Sequence, residues 1–121
     1  MKKLLNIVLV ISVPLVMFSC YYDEFPEEIV EEIPEGQVVS FEQEIIPIFV
    51  ANNCVECHPS IRQPDFRPGN EYTSLVPAFV TEGNPADSRL YEMLNDNNHR
   101  SLTTTELNLI EKWIEQGAEN N

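Results

Sequence analysis

Cys54-Val55-Glu56-Cys57-His58 constrains this chain more than any other stretch of its 121 residues. In a helix two thiols three positions apart lie about one turn apart, and a histidine follows the second directly. Three chemistries use such a grouping. The pair can cycle between dithiol and disulfide or supply half of a zinc site. With the histidine it can instead add both thiols to the vinyl groups of a haem and offer the imidazole to the iron. A dithiol of the thioredoxin kind wants a βαβ setting, which the sequence around residues 54–58 lacks. Zinc wants further Cys or His ligands at matching spacing, and the only others are Cys20 and His99. Haem attachment is the reading these residues favour, with the dithiol and the zinc half-site as alternatives.

The N-terminus addresses the protein. Lys2 and Lys3 precede an apolar run over residues 4–18, broken by Asn6, Ser12 and Pro14. The run is short for a bilayer span and has the layout of a secretory signal. Val16-Met17-Phe18-Ser19-Cys20 resembles a bacterial lipobox, in which a small residue precedes the cysteine that is acylated, although Met17 and Phe18 stand where Leu and a small residue are usual. Residues 1–19 are therefore expected to be a lipoprotein signal peptide and Cys20 the lipidation site; the alternative is an ordinary signal whose Cys20 stays a free or disulfide-bonded thiol. One acyl chain holds a protein on a membrane only marginally, whereas several anchor it firmly. Tyr21-Tyr22-Asp23-Glu24 looks like the acidic signal that sends some Gram-negative lipoproteins to the cell surface. The expected location is the outer membrane, on the cell surface, with a periplasm-facing anchor as the alternative. Export would also deliver residues 54–58 to where bacteria attach c-type haem.

Acidity bounds the partners. The chain has 20 Asp and Glu against 7 Lys and Arg, a net charge of −13. Nucleic acid demands a basic footprint and is excluded. Much of the acidity lies in residues 20–37, where Glu and Pro dominate and no apolar period is sustained; this reads as an acidic, lipid-proximal tether. Residues 38–121 form the expected domain, at roughly 80 residues a size for which apolar packing alone is marginal. A bound cofactor would supply part of its core.

The domain reads as helical. Ser40 and Gln43 form a capping-box pattern, and Phe41, Ile45, Ile48 and Phe49 recur at helical spacing toward Cys54. Pro47 either kinks that helix or opens a shorter one near Ile46. Residues 59–83, rich in Pro and Gly, read as irregular loop with a short helical turn at 72–75. Asn84-Pro85 looks like the start of a helix whose apolar stripe is Leu90, Met93 and Leu94. The last helix is the clearest: Thr103 and Glu106 make a capping box, Leu102 and Leu107 a hydrophobic staple, Leu107, Ile110, Trp113 and Ile114 the buried face, and Gly117 the stop.

Over residues 41–119 the sequence resembles small monohaem cytochrome c domains, including those carried on bacterial lipoproteins. The resemblance rests on the apolar helix running into Cys54-Val55-Glu56-Cys57-His58, on Gly83-Asn84-Pro85 with Ser88-Arg89-Leu90-Tyr91, and on Leu102-Thr103 and Glu106 leading to Trp113-Ile114-Glu115-Gln116-Gly117-Ala118. It implies an all-α, cytochrome c-like fold around one covalently attached haem c per chain. In that fold the first and last helices cross beside the haem, and a long irregular loop covers it. Cys54, Cys57 and His58 would bind the cofactor, with His58 on the iron.

The chain departs from many members at the sixth ligand. The loop before the last helix, Asn97-Asn98-His99-Arg100-Ser101-Leu102, has no methionine. His99 is the expected metal ligand there, with Met93 as the alternative and a solvent-exposed loop histidine as the bland reading; Met93 by its stripe belongs to the core. Trp113 reads as core against the haem or the first helix. Tyr72, Tyr91 and Phe79 read as packing or pocket wall, and Arg62, Arg67 and Arg89 as surface charges or propionate partners. The expected function is single-electron transfer by a lipid-anchored carrier, not catalysis. Its partner would be a redox protein with a basic docking face. The alternatives are a peroxidase-like or small-ligand-binding haem with an open sixth position, and an accessory haem module of a larger membrane complex.

Overall fold

The computed structural model describes residues 33–96 and 99–121; the expected signal peptide, Cys20 and most of the acidic tether lie outside the described residues. The described chain is all-α, with no strand among those residues. A π-helical turn at Phe41–Ile45 runs into α1 (Ile46–Ala51), followed by α2 (Cys54–Cys57) and α3 (Glu71–Leu75). A 3-10 turn at Pro85–Asp87 leads to α4 (Arg89–Leu94), and α5 (Thr104–Glu115) closes the fold. None of these helices is long and apolar enough to cross a membrane.

Pro47 explains the π turn. Proline has no N–H for the Gln43 carbonyl four residues back, and its ring crowds that carbonyl. The chain widens by one residue: Ile45 donates to the Ser40 oxygen at 3.2 Å and Ile46 to the Phe41 oxygen. Pro47 then falls in the first turn of α1, where a missing N–H is free of cost. Of the two outcomes left open at Pro47, the shorter helix forms, and no single helix reaches Cys54. Ser40 Oγ accepts from the Gln43 N–H at 3.2 Å, but the reciprocal arm comes from Glu44 rather than Gln43: Ser40 N–H donates to Glu44 Oε2 at 2.7 Å.

A second correction concerns Asn84-Pro85. Asn84 caps the 3-10 turn, and α4 starts after Ser88. Ser88 is buried because its hydroxyl closes that corner, donating to the Asn84 oxygen at 2.8 Å and accepting from Thr81 N–H at 2.9 Å.

The last helix forms as its sequence dictates. Thr103 Oγ1 accepts from Glu106 N–H at 3.2 Å while Thr103 N–H donates to Glu106 Oε2 at 2.8 Å, so the capping box is complete. At its other end Gly117, at φ +102°, donates to the Ile114 oxygen, and Ala118 donates to the Trp113 oxygen. Together these are the two bonds of a Schellman stop, which needs a left-handed residue at the glycine position.

Ile110, Trp113 and Ile114 of α5 are fully buried against Phe41 and Ile45. The Trp113 and Phe41 rings lie 5.1 Å apart, and Tyr72 meets Phe41 edge-on at 5.2 Å. Their polar tips are satisfied, Trp113 Nε1 by the Glu119 oxygen at 2.9 Å and Tyr72 by the Ala118 oxygen at 3.0 Å. Gln116 ties the ends together: it accepts from Val39 N–H at 2.9 Å and donates to the Gln37 oxygen at 2.7 Å. Ile48, Phe49, Phe66, Leu90 and Leu94 carry the core away from this crossing, toward α2.

Candidate functional site

Cys54 and Cys57 begin and end α2, so their thiols do stand one helical turn apart. Asn53, left-handed at φ 52°, turns the chain out of α1 just before them; asparagine tolerates that conformation better than most residues. His58 follows, its N–H bonded to the Cys54 oxygen at 3.0 Å and its own oxygen accepting from Phe66 N–H at 3.1 Å. Cys54 is half-buried and Cys57 exposed. Burial pushes the Cys54 thiol up, against a smaller downward pull from Arg100. A protonated thiol is the opposite of the low-pKa nucleophile that a C-x-x-C oxidoreductase needs.

The two histidines face each other. Their ring centroids are 6.2 Å apart, and Phe66 backs His58 edge-on at 5.4 Å. The Nδ1 atoms of both rings are buried without a hydrogen-bond partner. Leaving such a group unsatisfied costs about 1–3 kcal/mol, which a ligand between or beside the rings would relieve. A centroid separation of 6.2 Å leaves room for a metal ion at about 2.0–2.1 Å from a nitrogen of each ring.

Two adjoining clefts share this histidine pair. One, of about 90 Å³, is walled by Pro64, Phe79, Leu90, Met93 and Leu94, with Arg89 beside them. The other, of about 390 Å³, is lined by Cys54, Cys57, Arg62 and Arg100. Together their linings take in both thiols, both histidines and the apolar wall. Among the described residues no group of three or more His, Cys, Asp or Glu side chains is placed to hold a metal ion alone. A structural zinc needs four such ligands, whereas a haem brings four nitrogens of its own and asks the chain for one or two.

Cys54, Cys57, His58 and His99, singled out from the sequence, thus come together. Met93 reaches the same apolar cleft but is 42% exposed, and it is not the core residue its stripe implied. On a helix as short as α4, Leu90 and Leu94, four apart, take the buried face. Arg67 lies apart from the clefts, its guanidinium bidentate on buried Asp65 at 2.8–3.3 Å; that contact holds the Asp65 carboxyl below its usual value. Arg62 and Arg89 do line the clefts, and Arg89 sits 5.6 Å over the Phe79 ring. Trp113 packs on Phe41 rather than at the histidines. Tyr91 is half-buried, its hydroxyl pushed up first by burial and then by its bond to Glu111.

Sequence reasoning passed over Asn52 and Phe66. Phe66 lies in an aperiodic loop and nothing nearby marks it. Asn52 ends α1 and donates from Nδ2 to both the Ile48 oxygen at 3.0 Å and Glu106 Oε1 at 2.9 Å, linking the thiol-bearing turn to the cap of α5.

No protein-family model, no curated protein and no solved structure matches the chain.

Proposed function

We propose that this chain is a monohaem c-type cytochrome, exported and held at the outer membrane by lipid on Cys20, that carries single electrons to or from a redox protein. On this reading residues 38–121 are a cytochrome c-like domain. Cys54 and Cys57 would hold its haem c covalently, and His58 and His99 would ligate its iron. The observation that carries the reading is the apposition of His58 and His99 at 6.2 Å beside two thiols on one helical turn. The raised Cys54 thiol does not suit the redox-dithiol alternative.

When bound, the haem supplies an iron that takes up or gives one electron with no substrate transformed. The chain's own residues do the rest. Phe66 backs the His58 ring, Leu90 and Leu94 line the apolar side of the slot, and Arg100 donates from Nη1 to the Asn52 main-chain oxygen, holding the residue after His99 beside the turn before α2. A histidine pair lowers the potential relative to a Met/His pair, so the carrier should work with comparatively reducing partners.

The test is a set of absorption spectra, reduced and oxidised, of wild type beside His99→Ala and Met93→Ala after expression with cytochrome maturation machinery. Wild type and Met93→Ala should be six-coordinate and low-spin, and His99→Ala should turn high-spin and bind carbon monoxide. A wild type that is already high-spin and binds carbon monoxide would point to the open-iron, ligand-binding alternative. Absence of haem bands would defeat both.

A further inference from the structure

Arg89 is held in place more closely than an exposed arginine needs to be. Ser88 before it is buried and donates to the Asn84 oxygen at 2.8 Å, and Leu90 after it is buried with its N–H bonded to the Phe79 oxygen at 2.9 Å. The guanidinium itself lies over the Phe79 ring, 5.6 Å from its centroid, a contact that suits the planar arginine head. Yet it forms no ion pair among the described residues, either with Glu92 one turn on or with any other carboxylate. It lines the apolar cleft, where no Asp or Glu of those residues stands and where it is the one Arg or Lys among them. Gln63 lines the same cleft. Arg62 and Arg100 belong instead to the cleft of the two thiols, and Arg67 is taken up by Asp65.

We infer that Arg89 is the carboxylate-binding residue of the slot, that it takes the haem propionates with Gln63 as a second donor, and that the haem therefore lies with its vinyl edge at Cys54 and Cys57 and its propionate edge at Arg89. The inference rests on the c-type cytochrome reading and adds to it the direction in which the cofactor lies. The two vinyl groups sit on one half of the macrocycle and the two propionates on the other. Thioether bonds to Cys54 and Cys57 thus turn the propionates away from the thiols, and away from Arg62 and Arg100 beside them. The body of the ring suits Pro64, Leu90 and Leu94, but a carboxylate next to such a wall is costly unless a donor meets it. An arginine already oriented by Phe79 and lacking an anion meets it at small ordering cost, with two N–H groups at once. Arg89 then acts on the iron through the propionate, as a positioning residue. A bare carboxylate favours the more positively charged ferric state; by neutralising it, Arg89 raises the potential, against the lowering that a histidine pair brings.

The experiment uses the haem-loaded protein. In NMR spectra of its reduced, low-spin form, the propionate methylenes should show through-space contacts to the Phe79 ring and to the Arg89 side chain. In spectroelectrochemical titrations Arg89→Gln should shift the reduction potential downward, with its low-spin absorption spectrum unchanged. Arg89→Lys keeps the charge and should recover much of that shift, and Arg62→Gln, on the thiol side, should lower the potential less than Arg89→Gln does. Propionate contacts to Arg62 or Arg100 in place of Arg89, an Arg89→Gln potential equal to that of wild type, an Arg89→Lys that recovers nothing, or an Arg62→Gln that lowers the potential as far overturns this inference and leaves the haem reading standing. A chain that takes up no haem overturns that reading and this inference with it.

Discussion

Arg100, the residue after His99, donates from Nη1 to the main-chain oxygen of Asn52, two residues before Cys54. The loop bearing the second imidazole is thereby latched to the turn bearing the thiols. Asn52 is fixed in turn by its own side chain, which reaches Ile48 and Glu106. Replacing Asn52 by Ala leaves the partly buried Glu106 without that donor. Hydrogen bonds to charged groups contribute about 1.5–3 kcal/mol, so Asn52→Ala should lose about 2 kcal/mol in urea unfolding. The His99 N–H, bonded to the Asp96 oxygen, should exchange faster with solvent. Unchanged stability and exchange would show that the Asn52 side chain does not hold this turn in place.

Trp113 is the largest fully buried side chain and joins α5 to the start of the fold through Phe41. Trp113→Ala should cost about 3–5 kcal/mol, a large share of the roughly 5–15 kcal/mol that a domain possesses. Trp113→Phe keeps most of the apolar contact and loses the bond to Glu119, so it should cost less. Denaturant midpoints of the two variants beside wild type check the order.

The Arg67 guanidinium holds the Asp65 carboxyl below its usual value. A carboxyl depressed by folding adds stability above its unfolded pKa of about 4, and that contribution fades as pH falls through the folded value. Asp65→Asn should therefore be less stable than wild type at neutral pH, and the gap should close in acid. Unfolding curves at a series of pH values would show it; a gap independent of pH would remove the charge from the explanation.

Both ends of α5 are set by single residues. Thr103→Ala removes the capping box and should cost about 1 kcal/mol. Gly117→Ala meets no steric obstacle, since a Cβ there has nothing within 4 Å. It still holds an L-residue in the left-handed region, for about 1–2 kcal/mol. The two losses should add in the double variant, because the sites are a whole helix apart.

What the sequence made legible follows from how local each signal is. The capping box of Thr103 and Glu106, the Gly117 stop and the Ile110-Trp113-Ile114 face depend on neighbours within a turn or two, and they form as read. The start of α4 is not legible locally, because Asn84-Pro85 suits a 3-10 turn as well as an α-helix and the bond that fixes Ser88 ahead of α4 comes from Thr81, seven residues back. The π turn ahead of Pro47 depends on a balance between the proline ring and the burial of Phe41 and Ile45, which no spacing rule expresses. At the site, the Cys54–His58 turn was written in the motif. That His99 faces His58 while Met93 stays half outside depends on how the 58–70 loop and α4 pack, and only the folded chain shows it. The same holds for the arginines: their number is in the composition, but their gathering at the clefts is not.

The most direct test of the central claim is the mass of the exported chain, produced with the haem attachment machinery and then fully denatured. Covalent attachment predicts a chain heavier by one haem, with the increment lost when Cys54 and Cys57 are both changed to Ser. A denatured chain without that increment, or one lighter by the two hydrogens of a Cys54–Cys57 disulfide, would contradict it.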